Sequence, residues 1–228
     1  MLIINNLTVS YADKVILANL NLNIELGKVH GLVGLNGAGK TTLLNTLYGF
    51  KRKDSGQILH NDIQLKRIDT AYLETENYYY SSITGKEYLS IFKHATNDYN
   101  IDDWNKLFKL PLDKLIDSYS TGMKKKLALM AILKQDKDIL ILDEPFNGLD
   151  IESSKLLSLI INKLKEKGKT IIITSHILES LTNICDYIHY LENKIISFTR
   201  EKDNFANLEK EIFKGMESEH KGLIDCVL

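Results

Sequence analysis

The chain has 228 residues, 44% of them hydrophobic, and a formal net charge of −1. That is enough apolar material for a sizeable core, as one large domain or as a domain carrying an inserted lobe. Charges of both signs are spread along the chain, which speaks against a nucleic-acid partner, and the longest apolar run, Leu127 to Leu133, is far short of the ~20 residues of a membrane helix.

The opening segment, MLIINNLTVS, has no charged n-region and no cleavage site, so no signal peptide is expected. Leu7, Val9 and Tyr11 alternate with polar residues, and Leu20 to Leu26 (LNLNIEL) alternates strictly, the period of half-buried strands. Val29 to Val33 is a short apolar run that ends at Gly34.

The residues that follow, Gly34-Leu35-Asn36-Gly37-Ala38-Gly39-Lys40-Thr41, fit G-x-x-x-x-G-K-[ST] between an expected strand and an expected helix, the context this pattern requires. The glycines let the backbone wrap closely and aim N–H groups at phosphate oxygens. A helix starting at Lys40 adds its positive dipole end. Lys40 would reach the β- and γ-phosphates, Thr41 would place its hydroxyl on Mg²⁺, and Thr42 would add a hydroxyl near the α-phosphate. The competing reading, a plain flexible turn before a helix, leaves that combination unexplained.

The middle of the chain, 75–134, changes character. Thr84 and Glu87 form a capping box ahead of Tyr88, Leu89, Ile91 and Phe92. A second helix is expected over Trp104 to Leu110, stopped by Pro111, and a third over Gly122 to Lys134. This reads as a helical lobe inserted into an α/β core. Its third helix opens with YSTGMKKKL, residues Tyr119 to Leu127, which sets three lysines where the macrodipole disfavours cations.

Ile139 to Leu142 is an aliphatic run, the pattern of a strand buried on both faces, and it ends in Asp143 and Glu144. Asp143 would stand at the carboxyl end of that strand, where ligands bind in open α/β sheets, and would hold Mg²⁺ through water beside Thr41. Glu144, one residue on, would accept a proton from an attacking water. Two solvated acids at a loop start is the plainer reading without the phosphate loop. A helix is expected over Glu152 to Lys167, with Asp150 as N-cap and Gly168 as its stop, then a strand over Ile171 to Ile173. Strand, helix, strand in this order implies a parallel sheet with right-handed crossovers. A hairpin follows (Tyr187 to Leu191, turn at Glu192-Asn193, Ile195 to Phe198), then a short helix around Leu208 to Phe213 and a mobile end. The two cysteines, Cys185 and Cys226, form no CxxC pair, so neither zinc nor redox chemistry is implied, and a reduced cytosolic compartment fits.

Taken together these motifs resemble an ABC-type ATPase, the nucleotide-binding subunit of an ABC transporter, over nearly the whole chain. YSTGMKKKL stands where that family carries LSGGQ followed by basic residues: Ser120 and Gly122 match, while Thr121 and Met123 replace a glycine and the glutamine. The variant S-x-G-M-K-x-K is similar to that of stand-alone subunits paired with separate exporter-type permeases. The resemblance implies that Ser120 and Gly122 face the γ-phosphate bound to another subunit, so that hydroxyl, N–H groups and positive charge meet an anion arriving from outside the chain. Lys124 to Lys126 either share in this or solvate the lobe.

The resemblance further implies that Tyr11 stacks on adenine, that Asp150 in Asn147-Gly148-Leu149-Asp150 couples two sites, and that His176 in ITSH contacts the γ-phosphate and positions water. Thr75 aligns with a family glutamine that reaches Mg²⁺, with Glu74 or Glu76 as substitutes. The implied fold is a P-loop NTPase (RecA-like) α/β core, 1–74 and 135–200, with an N-terminal antiparallel β subdomain, a helical lobe over 75–134 and a tail over 201–228. The implied function is an ATPase, using ATP and Mg²⁺, that pairs as a homodimer or heterodimer with a second ABC ATPase. It would drive transport, in the export direction, through a transmembrane permease, as a cytoplasmic subunit peripheral to the membrane. A regulatory or non-transport ABC ATPase with weak hydrolysis is the alternative. Tyr78, Tyr79 and Tyr80 are either part of the permease contact or ordinary loop aromatics.

Overall fold

A computed structural model of the chain describes residues 1–93 and 99–213. Cys226 and the end expected to be mobile lie outside the described residues. In chain order the elements are β1 (Leu2–Tyr11), β2 (Lys14–Ile24), β3 (Val29–Val33), α1 (Lys40–Tyr48), β4 (Ser55–His60), β5 (Ile63–Gln64) and β6 (Thr70–Leu73). Then come α2 (Gly85–Ile91), α3 (Ile101–Phe108), α4 (Thr121–Lys134), β7 (Ile139–Leu142), α5 (Ile151–Glu166), β8 (Thr170–Thr174), α6 (Leu178–Thr182), β9 (Tyr187–Glu192) and β10 (Ile195–Glu201). A 3-10 turn over Lys202–Asn207 leads into helix over 208–213.

Two sheets form. One is antiparallel, in the order β2-β1-β4-β5. The other runs β10-β9-β3-β8-β7-β6, parallel from β9 through β6, with β10 antiparallel at its edge. The pleat of β7 explains how they share one core: successive side chains point to opposite faces. Ile139 and Ile141 pack with α1 and the inner face of the antiparallel sheet (Leu2, Ile4, Leu20, Leu22, Ile24). Leu140 and Leu142 pack on the other side with α4 and α5. β7 and β8 are therefore apolar at every position of their aliphatic runs, as strands covered on both faces must be.

The helices between β6 and β7 follow their local signals. Thr84 accepts from the Glu87 N–H while the Glu87 carboxylate accepts from the Thr84 N–H at 2.7 Å, the reciprocal capping box. α3 ends at Phe108, two residues short of the expected boundary, because Lys109 is left-handed (φ 53) and the Asn105 side chain binds the N–H and carbonyl of Leu110. α4 is buried from Leu127 to Leu133, which makes it the central helix of its layer. The hairpin turn falls on Asn193-Lys194, with φ of 49° and 71°, one residue later than expected, since a two-residue turn with both φ positive matches the strand twist.

The parallel pairing of β3 and β9 buries two histidines against each other. The Glu25 carbonyl can only accept, so His30 Nε2 (2.8 Å away) carries a proton and donates. His30 Nδ1 then accepts from His189 Nε2–H at 3.0 Å, and His189 Nδ1 accepts from the Thr199 hydroxyl at 2.8 Å. Every site is filled with both rings neutral. Burial pushes His30 below the ordinary value and His189 down to about 3. A depressed folded pKa means that the unfolded chain takes up the protons first. The contribution of both rings is therefore complete above pH ~6.5 and declines as pH falls from there; for His189 the decline runs toward pH 3, at about 1.4 kcal/mol per pH unit. Between pH 7.5 and 5.5, wild type should lose about 1.4 kcal/mol more in urea unfolding than His189→Asn. Equal losses would remove the pair as the cause.

Candidate active site

β3 delivers the chain to the phosphate loop beside β9. A side chain at position 34 would run into the Leu191 carbonyl, so the loop's first residue has to be glycine. Gly39, the N-cap of α1, sits at φ 110°, and an added Cβ there would lie 3.0 Å from the side chains of Ile16 and Leu17 of β2. Between them the Ala38 N–H closes a turn onto the Leu35 carbonyl at 3.1 Å. The α1 N-terminus thus opens directly at the loop, with no side chain capping it. The Lys40 ammonium folds back onto the Gly34 and Leu35 carbonyls, at 2.7 and 3.3 Å. Burial pulls its pKa down; Glu144 and Asp143 act in the opposite direction.

β7 brings the acids to the same place. The Thr41 hydroxyl donates to Asp143 Oδ2 at 2.9 Å, and the Thr174 hydroxyl, from the end of β8, donates to Oδ1 at 2.6 Å. Thr174 in turn accepts from the Glu144 N–H at 2.9 Å, which helps hold Glu144 in a left-handed backbone conformation, φ 49°. That turn swings the Glu144 side chain toward His176. Glu144 Oε2 accepts from the His176 N–H at 3.1 Å; Oε1, 3.2 Å from His176 Nε2 but poorly aligned with it, is buried with no hydrogen-bond partner. Burial raises the Glu144 pKa above the ordinary carboxylate value, partly offset by His176.

Asn36, Gly37, Gly39, Lys40, Thr41 and Thr42 line a cavity of about 480 Å³ together with Thr75, Asp143, Glu144 and His176. Lys14 and Ile16 complete its wall, and sequence reasoning missed both. They belong to β2, which reaches the loop only through the folding of the antiparallel sheet; the one hint is their closeness in sequence to Tyr11.

The remaining residues expected at the site stand outside this lining. Tyr11 is 47% exposed at the β1–β2 turn, with Lys51 Nζ 4.2 Å from its ring centroid. Ser120 caps α4, accepting from the Met123 N–H at 3.3 Å. Gly122 packs so closely on the loop before α5 that an added Cβ would lie 3.0 Å from the Gly148 carbonyl. Asp150 caps α5, accepting from the Ser153 N–H at 2.7 Å, and its bonds to Ser153 hold its carboxyl below the usual range.

Of the three consecutive lysines in the first turns of α4, Lys124 and Lys126 keep part of their surface in solvent, whereas Lys125 is buried. Its ammonium lies 3.2 Å from the Glu74 carbonyl and 3.4 Å from the Thr75 carbonyl. Tyr79 is also not the exposed aromatic expected: it is half-buried and its hydroxyl donates to the Lys124 carbonyl at 2.7 Å, while Tyr78 and Tyr80 remain exposed.

Residues 17–147 match the family model described as ABC transporter. The chain is 34% identical over 220 residues to the lantibiotic transport ATP-binding protein SrtF of Streptococcus pyogenes, covering 92% of this chain and 95% of that relative. It is 33% identical over 219 residues to the bacitracin transport ATP-binding protein BcrA of Enterococcus faecalis, covering 90% of this chain and 70% of that one. Among solved structures, an ATP-binding subunit of an ABC transporter superposes with a TM-score of 0.83 at 25% identity, covering 94% of this chain and 93% of the other. With the phosphate loop, the acidic strand end and the serine-capped helix each in its place, the chain belongs to the ABC transporter family, among its ATP-binding proteins.

Proposed function

We propose that this ABC ATPase closes face to face with a second copy, or with another ABC ATPase, around two ATP molecules, and that hydrolysis powers outward transport through a separate membrane permease. The observation that carries this is a division within the chain. One cavity gathers the phosphate loop, Asp143, Glu144 and His176, while Ser120 and Gly122 lie outside it. A phosphate in that cavity is thus left open on one side, and a second subunit's α4 N-terminus has the N–H groups and hydroxyl to cover it.

In this scheme the loop N–H groups and the α1 N-terminus hold the β- and γ-phosphates, and Lys40 exchanges its carbonyl partners for phosphate oxygens. Thr41, Asp143 and Thr75, which line the same cavity, offer oxygen donors of the kind Mg²⁺ takes; the ion would offset phosphate charge. Glu144, whose carboxylate has a free buried oxygen, accepts the proton of the attacking water. His176 holds Glu144 from its backbone and faces the γ-phosphate with its ring. Tyr11 supplies a ring face for adenine at the cavity mouth. Asp150 keeps the Gly148 loop and α5 together at the subunit contact.

Loss of the γ-phosphate removes the group both subunits hold, so the pair reopens. Among the described residues no helix is long and apolar enough to cross a membrane, so the work is passed to a permease. The names of the two relatives support the transport role. ATP should make the chain, alone or with the ATPase that co-purifies with it, sediment as a dimer in the Glu144→Gln form, and the wild-type rate per subunit should rise with protein concentration. A monomer at saturating ATP with a concentration-independent rate would exclude the sandwich.

A further inference from the structure

Three bonds join α4 to the segment that follows β6, and they leave from two adjacent residues of the helix. The Tyr79 hydroxyl reaches the Lys124 carbonyl, and the Lys125 ammonium reaches the carbonyls of Glu74 and Thr75. Segment 74–79 forms part of the cavity wall through Thr75. α4 starts, one turn before Lys125, at the Ser120 cap. A buried ammonium is an expensive strut: a charge taken out of water has to be repaid by its partners, and two neutral carbonyls are poor payment compared with a carboxylate. Lys125 is 5% exposed and pairs with no acid among the described residues; Asp143 and Glu144 attract it without an ion-pair contact. A residue kept only to fill space here would be apolar.

We propose that Lys125 is a positioning residue for ATP turnover: by gripping the 74–75 backbone it fixes the cavity wall relative to the serine-capped end of its own helix. What happens to the nucleotide in one site is thereby registered at the surface this chain offers to its partner. The proposal rests on the ATPase reading above. It assigns to an amine on α4 a part in holding Thr75, whose short side chain reaches less far than an amide would.

Lys125→Met keeps the length and apolar stem and deletes the charge and the donors. The expected result is nucleotide affinity within threefold of wild type, a melting temperature no lower than wild type because the desolvated charge is gone, and a turnover at least tenfold lower. Turnover within threefold of wild type would overturn the proposal. So would a loss of turnover matched by a similar loss of affinity or by a lowered melting temperature, the pattern of a packing residue. Should Lys125→Met fail to fold, the same three measurements on Lys125→Gln decide, with the same thresholds. The wild-type rate, read alongside, reports on the ATPase reading itself; the ratio of variant to wild type reports on Lys125.

Discussion

Glu144→Gln is expected to bind ATP within threefold of wild type and to turn it over roughly 10²–10⁴-fold more slowly. The amide has the shape of the carboxylate and can keep the bond from the His176 N–H, so the backbone turn at φ 49° should survive. What it lacks is a basic oxygen. Glu144 is suited to the task because burial raises its pKa, which makes it a stronger base than an exposed carboxylate, with His176 partly offsetting the rise. For the same reason the acid limb of the wild-type pH–rate profile should lie above the ordinary glutamate range. Single-turnover hydrolysis of pre-bound ATP measures the effect; a variant with undiminished turnover would take Glu144 out of the base role and leave His176 as the group to test.

Lys40→Ala is expected to weaken nucleotide binding by about 10- to 150-fold, the equivalent of one charge-assisted hydrogen bond of roughly 1.5–3 kcal/mol. The fold should not depend on this side chain. Among the described residues its ammonium bonds to the Gly34 and Leu35 carbonyls alone, in a loop that water reaches, and burial already works against its charge. Titration calorimetry with ATP, read beside the melting temperature, separates the two effects. Unchanged affinity would count against the phosphate-loop assignment, and a collapsed melting temperature would assign Lys40 to the scaffold.

The parts of the fold written in local patterns were open to reading. The aliphatic runs of β7 and β8, the capping box of α2 and the glycine spacing of the phosphate loop each carry their signal within a few neighbouring residues. What escaped depends on distant partners. β2 begins at Lys14, well ahead of its strictly alternating stretch, because shifts in its register with β1 break the period around Asn19, which is left-handed. β4 and the two-residue edge strand β5 carry Gly56, Asn61 and Asp62 at positive φ in and between them, and their sequence has no alternation to show. The inward turn of Lys125 had no signature either: within KKK, only the helical phase set by the packing of Leu127 to Leu133 decides which lysine faces the core. The His30–His189 pair needs the β3–β9 register, which no stretch of sequence contains.

The close approach of Gly122 to the Gly148 carbonyl leaves no space between the tip of one helix and the loop that leads into the next. Ser120 and Asp150 therefore cap two helices that meet at one tightly packed contact. In a paired assembly, one of them would look across at the neighbour's triphosphate and the other along the seam toward the second pocket. In the assembly proposed above, spending one nucleotide would displace the first and nudge the other with it, which would couple the two pockets mechanically even if they fire in turn.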